Sequence, residues 1–154
     1  MSSIIAWRIV KASYTSTAFS GEGAKREGGR WNSEGTPVVY VAESRSLAAL
    51  EMLVNLEDDE LLRHYRLVPA TFSRMFVKEL SAAELPASWK RSPPPLSTQS
   101  IGDKRIASAE SVVLRLPSAV MPAESNFLLN PAHRDFRKVE LGLPQPFRFD
   151  RRLK

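Results

Sequence analysis

Residues 28–51 read GGRWNSEGTPVVYVAESRSLAALE. The segment Pro37–Ala42 is β-branched and apolar, with proline at its first position, where a missing N–H donor is tolerated in a strand. Ser44 or Ser46 can cap the helix that follows, expected over Leu47–Asn55. A short strand therefore runs through a tight turn into a helix. On that helix Leu47, Leu50 and Val54 share the side of Glu51. A carboxylate on an apolar stripe is costly to bury without a partner. Two explanations stay open: a glutamate at the stripe's edge paired with an arginine, or a carboxylate held at a pocket wall to stabilise developing positive charge. Tyr40 shares its side of the strand with Val38 and Ala42, near the start of the Glu51 helix. Arg30 follows Gly28-Gly29, a pair that permits close approach of a ligand, and its guanidinium suits a phosphate or a ribose edge. A core tyrosine and a solvated loop arginine are the alternatives.

Outward from this stretch, strands outnumber helices. Ile4–Val10, Tyr65–Phe72, Met75–Leu80, Ser111–Leu116, Asn126–Leu129, Val139–Leu143 and Phe147–Phe149 are strand candidates. Pro69 suggests that the Tyr65–Phe72 strand lies at an edge. Ile101–Ala109 is a helix candidate. Lys11–Gly29 is expected to be a mobile loop, Asp58–Glu60 an acidic turn, and Pro86–Ser100 a connection. Strands and helices do not alternate as βαβ units would. The expected class is α+β with a mixed or antiparallel sheet, and residues 1–154 are expected to form a single domain. No internal repeat is present.

Composition narrows the chemistry. The 154 residues include no cysteine and only His64 and His133, which excludes disulfides and thiolate metal sites and disfavours a histidine-rich one. No metal is expected. Lack of cysteine suits a reducing cytoplasm. No apolar run approaches the roughly 20 residues needed to span a bilayer, and the N-terminus lacks the pattern of a signal peptide. Of the net charge of +5, the stretch Arg134–Lys154 carries +4, from seven basic and three acidic residues. Such a tail fits nucleic acid, an acidic protein, or water.

A second polar cluster, Glu124–Pro131 (ESNFLLNP), opens an apolar strand with Ser125 and Asn126. No G-x-S-x-G elbow accompanies it, so Ser125 fits a hydrogen-bonding role better than a nucleophilic one. Phosphate-loop and dinucleotide-fold signatures are missing.

Taken together, WRI near the start, GGRWN, PVVYVAES, ALEMLVNL, LPSAVMP and SNFLLNPAH resemble the RES domain family, the toxins of RES–Xre toxin–antitoxin modules. The family is named for an arginine, a glutamate and a serine, matched here by Arg30, Glu51 and Ser125. The resemblance implies an ADP-ribosyltransferase-like fold and consumption of NAD+ as substrate, by hydrolysis or phosphorolysis. It implies that Tyr40 stacks on nicotinamide and Arg30 binds the dinucleotide. It has Glu51 hold a ribose hydroxyl and stabilise an oxocarbenium-like transition state. Ser125 and Asn126 would complete the pocket, Trp31 would join the dinucleotide-binding set, and Arg8 would contact a phosphate. The resemblance also implies a cognate Xre-type antitoxin, a toxin homodimer within the complex, and contact with DNA only through the antitoxin. Two alternatives remain: modification of a protein target by ADP-ribose, and a nucleic-acid-binding module using the basic C-terminus, where Phe136, Phe147 and Phe149 interleave with arginines.

Overall fold

A computed structural model describes residues 2–153. Its eight strands are β1 (Ser3–Lys11), β2 (Val39–Ala42), β3 (Tyr65–Ser73), β4 (Val77–Glu79), β5 (Val113–Pro117), β6 (Ser125–Leu129), β7 (Glu140–Leu141) and β8 (Gln145–Phe147). They form one sheet in the order β4-β5-β6-β2-β1-β3-β7, with β8 also paired to β3. Only β4–β5 is parallel. Its crossover carries α3 (Leu96–Ser108), as a parallel pair requires. The other α-helices are α1 (Glu22–Glu27) and α2 (Arg45–Leu53). The chain thus adopts the α+β class expected from its sequence.

Alternation along the strands sends side chains to two buried faces. Ala6, Val39, Val41, Ala70, Phe72, Val113, Phe127 and Leu129 share one core cluster. On the other face, Ile9, Ala42, Tyr65 and Leu67 lie under Leu47 and Ala48 of α2. Leu114, Leu116 and Leu128 continue that face under Trp31, with Ile101 of α3 beside them. Each such large apolar side chain contributes about 1.5–3 kcal/mol. Between β1 and β2 the pairing narrows to Trp7 opposite Ala42, whereas β1 and β3 pair over nine residues.

Several expectations need correction. Lys11–Gly29 contains a 3₁₀ segment at Ala12–Thr17 and the helix α1. Neither buries a residue, so neither leaves an apolar period to read. Gly21 (φ 80°) and Gly28 (φ 74°) flank α1 in conformations that favour glycine. β3 is not an edge strand. Its outer side is covered by β8 at residues 65–67 and by β7 at residues 70–71, and Pro69 sits in the gap between them. The carbonyl of Pro69 accepts the Gly142 N–H at 2.8 Å, on the side where the missing donor would have pointed. α3 begins at Leu96, directly after the prolines, earlier than expected.

The basic C-terminal segment does not form an aromatic-interleaved face. Phe149 packs edge-on against Tyr65 (5.2 Å between ring centres) and Phe147 (5.0 Å) in the core under α2. Phe136 packs against the opposite core. Arg152 pairs with Asp150 and Lys138 with Asp135, and Arg148 rests on His64. Phe149 is buried, and Phe136 and Phe147 are half-buried against the core.

Candidate active site

Ser44 caps α2, its Oγ accepting the Leu47 N–H at 3.0 Å. That start sets the helix phase. Leu47 falls into the core at 1% exposure, while Val54 stays 59% exposed. Glu51, between them on the same side, is half-buried. It therefore stands at the rim of the apolar face rather than beneath it. Its Oε2 accepts the hydroxyl of Ser118 at 2.8 Å and the side-chain amide of Asn126. Among the described residues no cation pairs with it, which removes the arginine-paired explanation. Both of these bonds fall on Oε2, and none is made to Oε1 among the described residues.

Tyr40 lies on the same sheet face, opposite Leu128 of β6, two residues from the Asn126–Ala42 pair. Its phenol is spent on structure. The oxygen accepts the Trp31 N–H at 3.0 Å and donates to Asn32 Oδ1 at 2.6 Å. Burial pushes its pKa well above the ordinary phenol value, and the Trp31 N–H and the Arg30 charge only partly offset this. The hydroxyl therefore stays protonated. Gly29 lets this happen: a Cβ there would sit 2.8 Å from the Tyr40 oxygen. That space belongs to the tyrosine, not, as the glycine pair suggested, to a ligand.

Asn32 is fully buried. It donates to the carbonyls of Ala24 (2.8 Å) and Thr36 (3.1 Å) while accepting Tyr40. It knits the 28–36 loop to β2. Sequence reasoning passed over it, although a polar residue inside the GGRWN motif was a signal. α3 holds the loop from its other side. Gln99 donates to the Gly29 carbonyl at 3.0 Å, and Asp103 accepts the Ser33 N–H at 3.0 Å and its hydroxyl.

Arg30, on this loop, donates through Nη1 to the carbonyls of Trp89 (2.9 Å) and Arg91 (2.7 Å). Its Nε and Nη2 have no partner among the described residues, so the edge that makes bidentate bonds to an oxyanion is free. Arg8 sends Nη1 to the Tyr40 carbonyl at 3.1 Å where β1 and β2 separate. Its Nε is enclosed without a partner, and burial pushes its pKa down to about 10. A cation so placed favours an incoming anion.

Two expected residues fall elsewhere. Trp31 is 2% exposed, in the core beside Trp89 (6.5 Å between ring centres), so its indole is not available to a ligand in this conformation; it serves the site through its backbone N–H. Ser125 points away from Glu51, because adjacent strand residues face opposite sides and Asn126 holds the near side. Its Oγ accepts Arg115 Nε at 2.9 Å, and its N–H meets Glu43. The serine on Glu51 is Ser118, at the turn after β5, which no local feature of its segment marks. Among the described residues no cluster of His, Cys, Asp or Glu could hold a metal.

Comparison with known proteins follows the same outline. The RES domain profile matches residues 5–150. A "Toxin Res" of Photorhabdus laumondii is 41% identical over 88% of this chain and 86% of its own. A "Prs ADP-ribosylating toxin" of Sphingobium sp. is 34% identical over 96% of this chain and 94% of its own. The crystal structure of the M. tuberculosis MbcT-MbcA toxin-antitoxin complex superposes with a TM-score of 0.77. It covers 96% of this chain and 85% of that one at 20% identity, a likeness of fold.

Proposed function

The chain belongs to the RES domain family, and from that premise we propose that it breaks the nicotinamide–ribose bond of NAD+. It is the toxin component of a toxin–antitoxin module, an enzyme acting on NAD+, with an antitoxin as its partner. The observation that carries the reading is Glu51: a carboxylate held on one oxygen by Ser118 and Asn126, without a cation, over the sheet face it shares with Tyr40.

Nicotinamide leaves neutral from a cationic ring, so its departure needs no proton. The demand is for negative charge beside the ribose as the oxocarbenium character grows. Oε1 of Glu51 supplies it and accepts a ribose hydroxyl. Tyr40 offers a ring face whose angle is fixed by Asn32 and Trp31. The free edge of Arg30 takes a phosphate of the dinucleotide, and Arg8 lends positive charge from beneath β2. The ribosyl cation is then captured by water, giving ADP-ribose, or by inorganic phosphate. The antitoxin is of the Xre type, DNA is met only through it, and the toxin is a cytoplasmic homodimer in the complex. Residues 1–154 act as a single RES domain.

The test is nicotinamide release from NAD+ by the purified toxin freed of its antitoxin. Glu51→Gln should slow it by about 10²–10³-fold, as for loss of one charge-stabilising group. Full turnover by that variant refutes the assignment. Product analysis with and without phosphate identifies the acceptor. A second reading, ADP-ribosylation of a protein, draws on the name of the Sphingobium relative; a mass increase on a candidate target after incubation with NAD+ would favour it.

A further inference from the structure

Two units stand over the sheet face that carries Glu51. α2 covers Ile9 and Ala42. The 28–36 loop covers Leu114, Leu116 and Leu128 through Trp31, and Trp89 packs against the same cluster. Tyr40, packed with the second unit, is two residues from Ala42 under the first. Glu51 belongs to α2 and Arg30 to the loop, so they approach the shared face from two sides. What lies beyond Arg30 is the turn Trp89–Arg91. Arg30 Nη1 donates to the carbonyls of Trp89 at 2.9 Å and Arg91 at 2.7 Å, which fastens the turn to the guanidinium. The turn is also closed on itself: the Trp89 N–H donates to the Pro86 carbonyl at 3.1 Å, and the Arg91 N–H to that of Ser88 at 2.9 Å. The Trp89 indole is half-buried, resting on Trp31 with 31° between the ring planes. Lys90 Nζ stands 5.9 Å over the Trp89 ring, and the swing of that one flexible, exposed side chain uncovers it. Lys90 and Arg91 are exposed. Among the described residues no carboxylate pairs with Arg30, Lys90 or Arg91. Asp103, the acid that reaches this loop, is occupied by Ser33.

We propose that Trp89, Lys90 and Arg91 form the subsite for the adenylate half of NAD+, with the Trp89 indole stacking on adenine. The inference rests on the reading of Glu51 and Arg30 given above. With the nicotinamide ribose at Glu51 and a phosphate on the free edge of Arg30, the rest of the dinucleotide continues toward the turn fastened to that arginine. A flat ring for a base, set among unpaired cations for phosphates, is the combination by which proteins hold nucleotides without reading a base sequence. Nicotinamide mononucleotide contains the same nicotinamide–ribose bond but ends at its first phosphate, so this subsite sets the preference for the dinucleotide over the mononucleotide. Binding energy gained there, away from the reacting bond, is available to orient the ribose at Glu51. A Trp89 that only packs against Trp31 and steadies Arg30 would behave differently: its removal would harm both substrates alike.

The experiment compares kcat/KM for nicotinamide release from NAD+ and from nicotinamide mononucleotide, on the whole toxin freed of its antitoxin. It also measures inhibition of NAD+ cleavage by AMP, the adenylate half alone. Trp89→Ala should lower the ratio of the two kcat/KM values by about 10- to 100-fold, the effect of losing one stacked base, and should weaken AMP by a similar factor. Trp89→Phe, which keeps a ring, should recover most of both. The double variant Lys90→Gln, Arg91→Gln alters only exposed side chains. It should raise the AMP inhibition constant by about 3- to 10-fold and flatten its dependence on salt. An unchanged ratio or unchanged AMP inhibition in folded Trp89→Ala overturns the proposal. Should Trp89→Ala not fold, the double variant decides, and wild-type AMP inhibition in it overturns the proposal. If wild type releases nicotinamide, Glu51→Gln does not, and AMP is no inhibitor, the subsite alone fails. If wild type releases no nicotinamide, the reading beneath it fails. AMP quenching of tryptophan fluorescence then tests the subsite by itself: a quench that Trp89→Phe abolishes supports it, and no quench overturns it.

Discussion

One methyl group at Gly102 tests how the active-site loop is held. Gly102 is a buried residue of α3. A Cβ built on it would lie 1.6 Å from the carbonyl oxygen of Trp31 and 2.6 Å from its carbonyl carbon. Intrinsic helix propensity favours the alanine by about 1 kcal/mol. Sterics oppose it, and the obstacle is backbone that cannot rotate away. Restoring contact near 3.4 Å from 1.6 Å requires α3 and the loop to part by roughly 2 Å. That movement breaks the bonds from Gln99 to Gly29 and from Ser33 to Asp103. Three hydrogen bonds at about 1 kcal/mol net each, with about 1–3 kcal/mol for overpacking, outweigh the propensity gain. Gly102→Ala should therefore cost about 3–5 kcal/mol. Gly23 in α1 is the control, exposed and with nothing within 4 Å of the place a methyl would take; alanine there should gain about 0.5–1 kcal/mol. At this chain length 1 kcal/mol moves Tm by about 2–4 °C. Gly102→Ala should thus melt at least about 6 °C below wild type and Gly23→Ala slightly above it, with urea midpoints in the same order. Below its melting temperature Gly102→Ala should also bind NAD+ weakly, since the displaced loop carries Arg30 and the Trp31 N–H that fixes Tyr40. A Gly102→Ala protein as stable as wild type would refute the packing argument.

Tyr40→Phe keeps the ring and removes the hydroxyl, leaving the Trp31 N–H and Asn32 Oδ1 without their partner. Stability in urea should fall by about 1–3 kcal/mol, and nicotinamide release should persist; loss of turnover in a folded protein would give the hydroxyl a chemical role. The Lys11–Glu60 pair, 2.9 Å apart, predicts a pH dependence. The Lys11 hydrogen bond holds the Glu60 carboxyl below its ordinary pKa, and the same bond raises that of Lys11. A lowered folded carboxyl pKa gives stability that is present above the unfolded value, about 4.3, and is lost as pH falls through the folded one. A raised lysine value gives stability present below about 10.4 and lost above it. Urea midpoints measured from pH 7 to pH 3 should fall less for Glu60→Gln than for wild type, and parallel curves would dismiss the pair.

The parts of the fold legible in the sequence are those whose signal is local. β2 and α2 are readable from a β-branched run, a capping serine and an apolar stripe. β1, β3, β5 and β6 carry enough apolar residues to be seen alone. β7 and β8, expected at Val139–Leu143 and Phe147–Phe149, form shorter or shifted, at Glu140–Leu141 and Gln145–Phe147, where they pair with β3. In β3 a proline marks a strand position whose outward N–H is missing, and it cannot say whether the neighbouring strand is absent or only interrupted there. α1 escapes notice because an exposed six-residue helix bounded by glycines leaves no hydrophobic period.

In the site, Arg30, Tyr40 and Glu51 are visible as anomalies of residue type in their places. Ser125 and Asn126 pose a different problem, and one part of it is soluble from sequence. Adjacent residues of a strand cannot line one pocket, so only one of the two can face Glu51. Choosing between them requires the pairing of β6 with β2, which sets Asn126 opposite Ala42 and Leu128 opposite Tyr40. No local property of ESNFLLNP encodes that pairing. Ser118 is further out of reach. It lies past the end of β5, where strand parity no longer applies, and it meets a carboxylate 67 residues earlier in the chain. That contact exists because α2 packs back across the sheet and brings Glu51 to the β5–β6 turn. A serine after a proline is an ordinary turn residue until the helix arrives above it, so its part in the site is a property of the assembled fold and not of its own segment.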